Sequence, residues 1–272
     1  MFRITRRRPY KDRLHSRKMK HQRLRWAFLA LGLLVVLGVG IYGLFFADLF
    51  NVEAIEISGN SAINHNLILD SVNQYLENRR FNIPRRLNIF LVNKDSLAEA
   101  IRGVSSRIET VKIKKGLFHE IKVEITEFKT FGVWCQLKID QCFSIDKAGR
   151  AFEEAPASSG LILLHVDDHR DKTLEIGQTV LEKDWLEQLI LARELLDQKL
   201  ELKTLNIVLV EDGFGEYQIE TNEGWRLLLK RDLSTQNQID ALSIFLEKEL
   251  TKSERANLTY VDARIKNRFY YQ

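Results

Sequence analysis

The chain has 272 residues, of which 45% are hydrophobic, 29% are charged and only three are proline. This composition is typical of folded domains and excludes collagen-like and low-complexity disordered chains, and the length allows roughly one or two domains. The net charge of +4 hides an asymmetry, because residues 1–25 hold eleven Lys and Arg against one acid, Asp12, whereas the rest of the chain has a net charge of −6.

An uncharged segment separates these two charge regimes. Residues 26–46 read WAFLALGLLVVLGVGIYGLFF and contain no charged side chain. As a helix they reach about 30 Å, the hydrocarbon thickness of a bilayer, and they exceed the apolar length of a cleaved secretory signal. We therefore expect a basic cytoplasmic tail (1–25) and an uncleaved transmembrane helix (26–47), with the rest of the chain extracytoplasmic by the positive-inside rule.

The basic tail allows other interpretations. Arg6, Arg7 and Arg8 are residue types that contact nucleic acid or acidic lipid, and TRRRPYK partly matches a twin-arginine export signal. A twin-arginine signal has a nearer and less apolar core, and a nucleic-acid-binding arm normally accompanies a folded basic domain. We favour membrane topology with attraction to lipid, and we expect no nucleic-acid partner.

The first extracytoplasmic segment, 49–127, predicts a small α+β domain. Val52 to Ile57 form a short strand that ends at a Ser58-Gly59-Asn60 turn. Helical spacing follows at Leu67 to Leu76, and again around Leu97 after the candidate caps Asn93 and Asp95. Two alternating strands, with apolar residues at 108, 111 and 113 and at 121, 123 and 125, complete the order strand, helix, helix, strand, strand. This order directly after an anchor resembles the POTRA domain, a small sheet with two helices on one side.

The second segment, 128–272, predicts a mixed β-rich domain with two packed helices, so the fold class of the whole is α+β. Strands are expected at 131–137, 142–145, 150–152, 161–166, 205–210, 217–221, 225–229, 258–264 and 268–271. Helices are expected at 181–200 and after Thr235 and Gln238, which have capping-box spacing.

Two short motifs make the chain similar to the FtsQ/DivIB cell-division proteins, which are bitopic membrane proteins with a POTRA domain and a β domain. One motif is the strand and turn FSIDKAGRAF at 143–152, and the other is YVDAR at 260–264. The basic tail, the single anchor and the Gly59-Asn60 turn agree with that family. The segment 161–168 lacks the Pro or Gly usual in the family, and Cys135 and Cys142 have no family counterpart.

Nothing in the sequence predicts an enzyme or a cofactor. The chain lacks the G-x-S-x-G, H-E-x-x-H, P-loop and G-x-G-x-x-G motifs, so we expect no catalytic residues and no small-molecule substrate. The best metal candidate is HVDDH at 165–169, whose histidines would share a helix face, but the segment is predicted as a strand followed by a solvated polar loop. We therefore predict no metal site.

Cys135 and Cys142 lie on either side of a predicted hairpin turn. Outside the reducing cytosol they can oppose one another and form a disulfide, or they can remain two half-buried thiols. Their spacing matches neither a zinc knuckle nor a redox C-x-x-C motif, so a catalytic role has no support.

The end of the chain predicts a surface for binding another protein. Bases and aromatic residues concentrate there, and a terminal edge strand offers free backbone groups to a partner strand. The candidate partner-binding residues are Tyr260, Asp262, Arg264, Lys266, Arg268, Phe269, Tyr270 and Tyr271. Two alternatives stay open: Phe269 and Tyr271 complete the domain core, and Asp262 holds Arg264 internally.

The family resemblance implies a division scaffold in the plasma membrane at the septum. It implies that the POTRA segment helps septal localisation, and that the region of Arg264 meets coiled-coil partners of the FtsB/FtsL type and so links early division proteins to septal peptidoglycan synthesis. Two alternatives are a POTRA-containing protein-translocation component, which needs a barrel partner, and a membrane-anchored cell-wall enzyme.

Overall fold

The computed structural model describes residues 13–46, 50–80, 83–84, 88–116, 119–157, 161–211, 214–266 and 268–272. Within them the protein is α+β, with six α-helices and a large mixed sheet. The helices are α1 (Arg13–Phe46), α2 (His65–Glu77), α3 (Lys94–Arg102), α4 (Lys183–Leu200), α5 (Thr235–Glu249) and α6 (Lys252–Arg255). The strands are β1 (Ala54–Ser58), β2 (Arg79–Arg80), β3 (Ile83–Pro84), β4 (Ile108–Lys115), β5 (Glu120–Glu127), β6 (Gly132–Gln136), β7 (Gln141–Ile145), β8 (Ala151–Ala155), β9 (Leu164–Asp168), β10 (Thr204–Leu209), β11 (Glu216–Thr221), β12 (Arg226–Lys230), β13 (Tyr260–Ile265) and β14 (Arg268–Tyr271).

Helix α1 contains the one segment of the described chain that is long and apolar enough to cross a membrane. That segment, Leu24–Gly43, has a mean hydropathy of 2.2, and none of it is buried against the rest of the protein. The helix begins at Arg13, so the described part of the basic tail continues the same helix. A single N-terminal span is therefore supported by length and composition.

The chain divides into two compact units. One contains α1, β1 and the segments Leu69–Ala100 and Lys112–Val123, and the other contains Gly59–Ile68, Ile101–Val111 and Glu124–Gln272. The boundaries 49–127 and 128–272 stay predictions from sequence.

The order strand, helix, helix, strand, strand is confirmed for residues 54–127. β1, β5 and β4 form a three-stranded sheet in that order, and α2 and α3 lie between β1 and β4 in the chain. The short strands β2 and β3 and a 3-10 turn at Ile89–Leu91 were not predicted. Asn93 caps α3, because its Oδ1 accepts hydrogen bonds from the N–H groups of Asp95 and Ser96 at 2.9 and 3.1 Å.

The other nine strands form one mixed sheet in the order β14-β13-β12-β11-β10-β9-β6-β7-β8. Most neighbours are antiparallel, but β9 runs parallel to both β6 and β10, and β12 runs parallel to β13. Apolar residues of one face pack with α4 and α5 into the main core, which includes Trp134, Val166, Ile207, Leu227, Leu189 and Leu242. Val133, Cys135 and Cys142 form a smaller apolar cluster outside it.

The turn in the FSIDKAGRAF motif has a clear physical basis. Oδ1 of Asp146 accepts hydrogen bonds from the N–H groups of Ala148 and Arg150 at 2.9 and 2.8 Å. Gly149 has a φ of +76°, a conformation that favours glycine. The aspartate and the glycine together therefore join β7 to β8.

Two sequence predictions in this domain were wrong in detail. The strand expected at 161–166 begins instead at Leu164 and continues to Asp168, so His165 lies on a strand as expected, whereas Asp167 and Asp168 also lie on it and not in a solvated loop. Asp168 is 2% exposed and accepts hydrogen bonds from the Trp134 indole and the Arg170 guanidinium, which explains why the strand extends this far. The cap of α5 is Ser234 and not Thr235, since the Ser234 side chain accepts the N–H of Asn237.

Candidate functional site

All eight residues predicted as a partner-binding site lie on the last two strands or in the turn between them. β13 carries Tyr260, Asp262 and Arg264, Lys266 lies in the turn, and β14 carries Arg268, Phe269, Tyr270 and Tyr271. β14 is the outermost strand of the nine-stranded sheet, where β13 is its only neighbour among the described strands. The structure thus brings the predicted residues together at one sheet edge.

The backbone of β14 presents one side to β13 and the other side away from the sheet. Gln272 and Tyr260 exchange two hydrogen bonds, with N···O distances of 3.3 and 3.4 Å. Because backbone groups alternate in direction along an antiparallel strand, the N–H and C=O groups of Tyr270 face β13 as well. Those of Phe269 and Tyr271 therefore face outward, where another strand can pair with them.

Two aromatic rings of β14, those of Phe269 and Tyr271, pack against α5. Phe269 stacks on Phe245 of α5 with ring centroids 4.8 Å apart, and Tyr271 contacts the same ring at 5.3 Å. Phe269 is half-buried, whereas Tyr271 remains 50% exposed. The alternative that these residues complete the domain core therefore holds for Phe269, which packs against the main core. Tyr271 contacts Phe245 but is also half exposed.

Arg264 is held inside the chain by two carboxylates. Its Nε and Nη2 atoms donate to the two oxygens of Asp262 at 2.9 and 2.6 Å, and Nη1 donates to Glu216 of β11. The hydrogen bond from the Arg264 guanidinium lowers the pKa of the Asp262 carboxyl below its usual value, although burial opposes this effect. The internal pairing that the sequence left open is therefore present, and it uses three of the five guanidinium donors.

A cavity of about 270 Å³ lies beside this edge. It is lined by the first turns of α5, including Ser234 and Gln238, and by Ile265, Lys266 and Phe269 of the terminal hairpin. The side-chain amide of Gln238 hydrogen-bonds the backbone N–H and C=O of Lys230, so this part of the polar wall is already satisfied. Asp232 and Lys266 also line the cavity, which therefore presents both charged and apolar side chains.

Cys135 and Cys142 form a disulfide that joins β6 to β7. The two residues are directly opposed in the strand register, and their sulfur atoms are 2.05 Å apart. His165 lies on β9 and His169 directly follows it, and residues four apart along extended chain are separated by about 13 Å, so the two metal candidates from sequence do not converge. His165 instead lies near Asp167 and Cys135, a grouping that the sequence did not reveal.

Glu216 is the residue of the edge that sequence reasoning missed. It precedes Arg264 by 48 positions and reaches it only because β11 lies two strands from β13. No sequence motif marks this glutamate, and only the strand order reveals it.

The chain matches no protein-family model and no curated protein sequence. The similarity to the FtsQ/DivIB family therefore stays a prediction from the motifs at 143–152 and 260–264.

Proposed function

We propose that the chain is a single-pass membrane scaffold of the bacterial division machinery, of the FtsQ/DivIB type, that works by binding other proteins and not by catalysis. The observation that carries the proposal is the position of β14. The last strand of the chain is an outer strand of the large sheet, with outward backbone groups at Phe269 and Tyr271. An open edge of this kind recruits an extended segment of another chain through main-chain hydrogen bonds.

The side chains around the edge suit a partner segment with acidic and apolar residues. Arg268 and Lys266 are exposed bases beside the edge, and Tyr270 and Tyr271 are half exposed. Arginine and tyrosine are enriched among the residues that dominate binding energy at protein interfaces. We assign this edge to coiled-coil division proteins of the FtsB/FtsL type, whose attachment would link early division proteins to septal peptidoglycan synthesis.

In this proposal the N-terminal half of the chain determines where in the cell the protein is held. The apolar helix Leu24–Gly43 holds the protein in the plasma membrane, and the basic tail keeps the N-terminus in the cytoplasm. The three-stranded sheet β1-β5-β4, with α2 and α3, takes the POTRA role of helping to place the protein at the septum.

The sharpest test compares two substitutions at one outward-facing position of the full-length chain. Tyr271→Ala removes the ring but keeps the backbone N–H, whereas Tyr271→Pro removes both. If a partner strand pairs with the edge, the proline variant loses at least about tenfold in affinity relative to the alanine variant, because a hydrogen-bonded strand needs that N–H. Site-specific crosslinking from position 270 to an FtsB-type partner in dividing cells measures the capture.

Three outcomes would contradict the proposal. Equal binding of the two variants would rule out main-chain pairing at this edge. Normal septa after depletion of the protein would remove the division role, and accumulation of unassembled outer-membrane proteins would favour a translocation component. Release of peptidoglycan fragments by the purified full-length protein would favour a cell-wall enzyme.

A further inference from the structure

Four side chains with metal-binding atoms meet on three adjacent strands. Cys135 of β6 lies opposite Cys142 of β7 and, on its other side, opposite Asp167 of β9. His165 precedes Asp167 by two residues on β9, so both side chains point to the same face of the sheet. The ligand atoms of Cys135, His165 and Asp167 all lie within 4.8 Å of one another.

We infer that these four residues form a zinc site when the Cys135–Cys142 disulfide is reduced. Two thiolates, an imidazole and a carboxylate are donors that zinc prefers, and four of them complete a tetrahedral shell. The disulfide and the metal need the same sulfur atoms, so each form excludes the other. The inference does not depend on the division role.

The distances between the non-sulfur donors fit this assignment. Nε2 of His165 and Oδ1 of Asp167 are 3.6 Å apart, which is too long for a hydrogen bond. Two such ligands on one tetrahedral zinc ion stand about 3.3–3.6 Å apart, given zinc–ligand distances of about 2.0–2.2 Å. The observed separation of 3.6 Å therefore needs a shift of at most a few tenths of an ångström for both atoms to bind one ion.

A neighbouring side chain already orients the carboxylate. Nδ2 of Asn206 on β10 donates to Oδ2 of Asp167 at 2.6 Å. Such a bond fixes the plane of the carboxylate and leaves Oδ1 on the side of His165, as hydrogen bonds behind metal ligands commonly do.

An ion has access to the cluster from solvent. A cavity of about 320 Å³ is lined by Cys135, Cys142, His165 and Asp167, together with Asp140 of the hairpin turn and Gln141 of β7. The cavity lies away from the main core, because the main core does not include the two cysteines. Filling the site therefore requires no disruption of the α4 and α5 packing.

The exchange between the two forms is a two-electron step. One thiolate of a dithiol reductant attacks a sulfur of the Cys135–Cys142 bond, and its second thiolate resolves the mixed disulfide, so the reductant leaves as a disulfide. The chain gains two electrons and two protons as two thiols. Zinc binding then releases both protons to solvent. A disulfide oxidant reverses the exchange: it accepts the two electrons from the thiolates and two protons from solvent and leaves as two thiols, the Cys135–Cys142 bond forms again, and the ion is released.

The test uses full-length protein in detergent, either oxidised or reduced with dithiothreitol that is then removed without air. We expect the reduced protein to retain one zinc ion per chain after gel filtration, and the oxidised protein less than about a tenth of that. Cobalt in place of zinc should give the absorption of a tetrahedral thiolate site. Substituting both cysteines by serine should abolish the retained metal.

Single variants separate the four-ligand site from two thiols alone. His165→Ala and Asp167→Asn should each weaken zinc binding by at least about tenfold, and they should restore rapid maleimide labelling of the thiols in the presence of zinc. Asp140→Asn is the matched control, because Asp140 lines the same cavity outside the ligand cluster, and it should bind zinc as the wild type does. Thermal unfolding of each oxidised variant checks that the fold is intact.

Two results would overturn the inference. Equal zinc retention by the oxidised and reduced proteins would locate the metal elsewhere, for example on histidines of the tail. Equal zinc affinity of Asp167→Asn and the wild type in the reduced state would show that Asp167 is not a ligand and would contradict the four-ligand site.

Discussion

At the scale of single residues, Arg264 has a structural role in the fold that limits its availability to a partner. Its guanidinium links β13 to β11 through Asp262 and Glu216, and its side chain is only 32% exposed. A partner carboxylate must therefore compete with two internal carboxylates. Charge reversal at Arg264 would therefore lower stability as well as partner binding, because it would bring three carboxylates together.

We predict that Arg264→Ala lowers the free energy of unfolding at about pH 7 by about 1–2 kcal/mol, since it leaves two partly buried carboxylates unpaired. The Arg264 guanidinium holds the pKa of the Asp262 carboxyl below its usual value in the folded state, so the stabilisation is present above the usual carboxyl pKa and is lost as the pH falls through the lowered pKa. The gap between wild type and variant should therefore be smaller at an acidic pH below the lowered pKa than at about pH 7.

Urea unfolding of the full-length chain at both pH values measures this effect. Arg268→Ala on the neighbouring strand is the matched control, because Arg268 is an exposed arginine of the same hairpin. A gap that stays constant between the two pH values would show that the Asp262 carboxylate does not contribute through its charge.

At the scale of elements, the turn after β1 depends on a glycine. Gly59 has a φ of +85°, and a Cβ atom built there would lie 2.0 Å from the backbone oxygen of Ile125. The next residues are held by Glu127, whose carboxylate accepts hydrogen bonds from the N–H groups of Ser61, Ala62 and Ile63. Burial opposes the charge on Glu127, but these backbone bonds outweigh it and lower the pKa of the carboxyl.

We predict that Gly59→Ala destabilises the protein by at least about 3 kcal/mol, because a left-handed conformation and a backbone collision combine. Gly224→Ala is the matched control, since Gly224 has a φ of +91° but nothing lies within 4 Å of its Cβ position. The control should cost only about 1–2 kcal/mol, the strain of the conformation alone. Equal losses in denaturant unfolding would show that the contact with Ile125 relaxes without cost.

Elements formed by local contacts were predicted from sequence, and those formed by distant contacts were not. The hairpin β6–β7 and the succession β10–β11–β12 follow from alternation and turn residues close in the chain. The insertion of β9 between β6 and β10 joins segments separated by long connections, and no local pattern encodes such a register. The same limit applies to the sites, since β14 was expected at an edge, whereas Glu216 and the cysteine–histidine–aspartate cluster depend on strand order.

At the scale of the whole molecule, the chain is basic before the apolar span and acidic after it. Eleven bases precede the apolar span, and a net charge of −6 follows the tail. By the positive-inside rule we expect the tail in the cytoplasm and the chain after the span on the other side of the membrane. On this expectation the orientation depends on the tail and not on the span itself.

The span should therefore be replaceable. None of Leu24–Gly43 is buried within the protein, and its glycines, at positions 32, 38, 40 and 43, include no pair spaced by four residues, the spacing of a close helix–helix contact. We predict that an unrelated apolar helix of equal length, joined to the native tail, preserves single-pass insertion and the orientation. Protease added outside spheroplasts should digest the segment after the span in both proteins and spare the tail.

A second replacement provides the control for this experiment. Exchanging the bases of the tail for glutamine in the native chain should reduce the correctly oriented fraction, because the charge that retains the N-terminus is gone. If the span exchange rather than the tail exchange disturbs orientation or septal recruitment, the helix binds another membrane helix. The anchor would then carry part of the recognition that we assign to the edge strand.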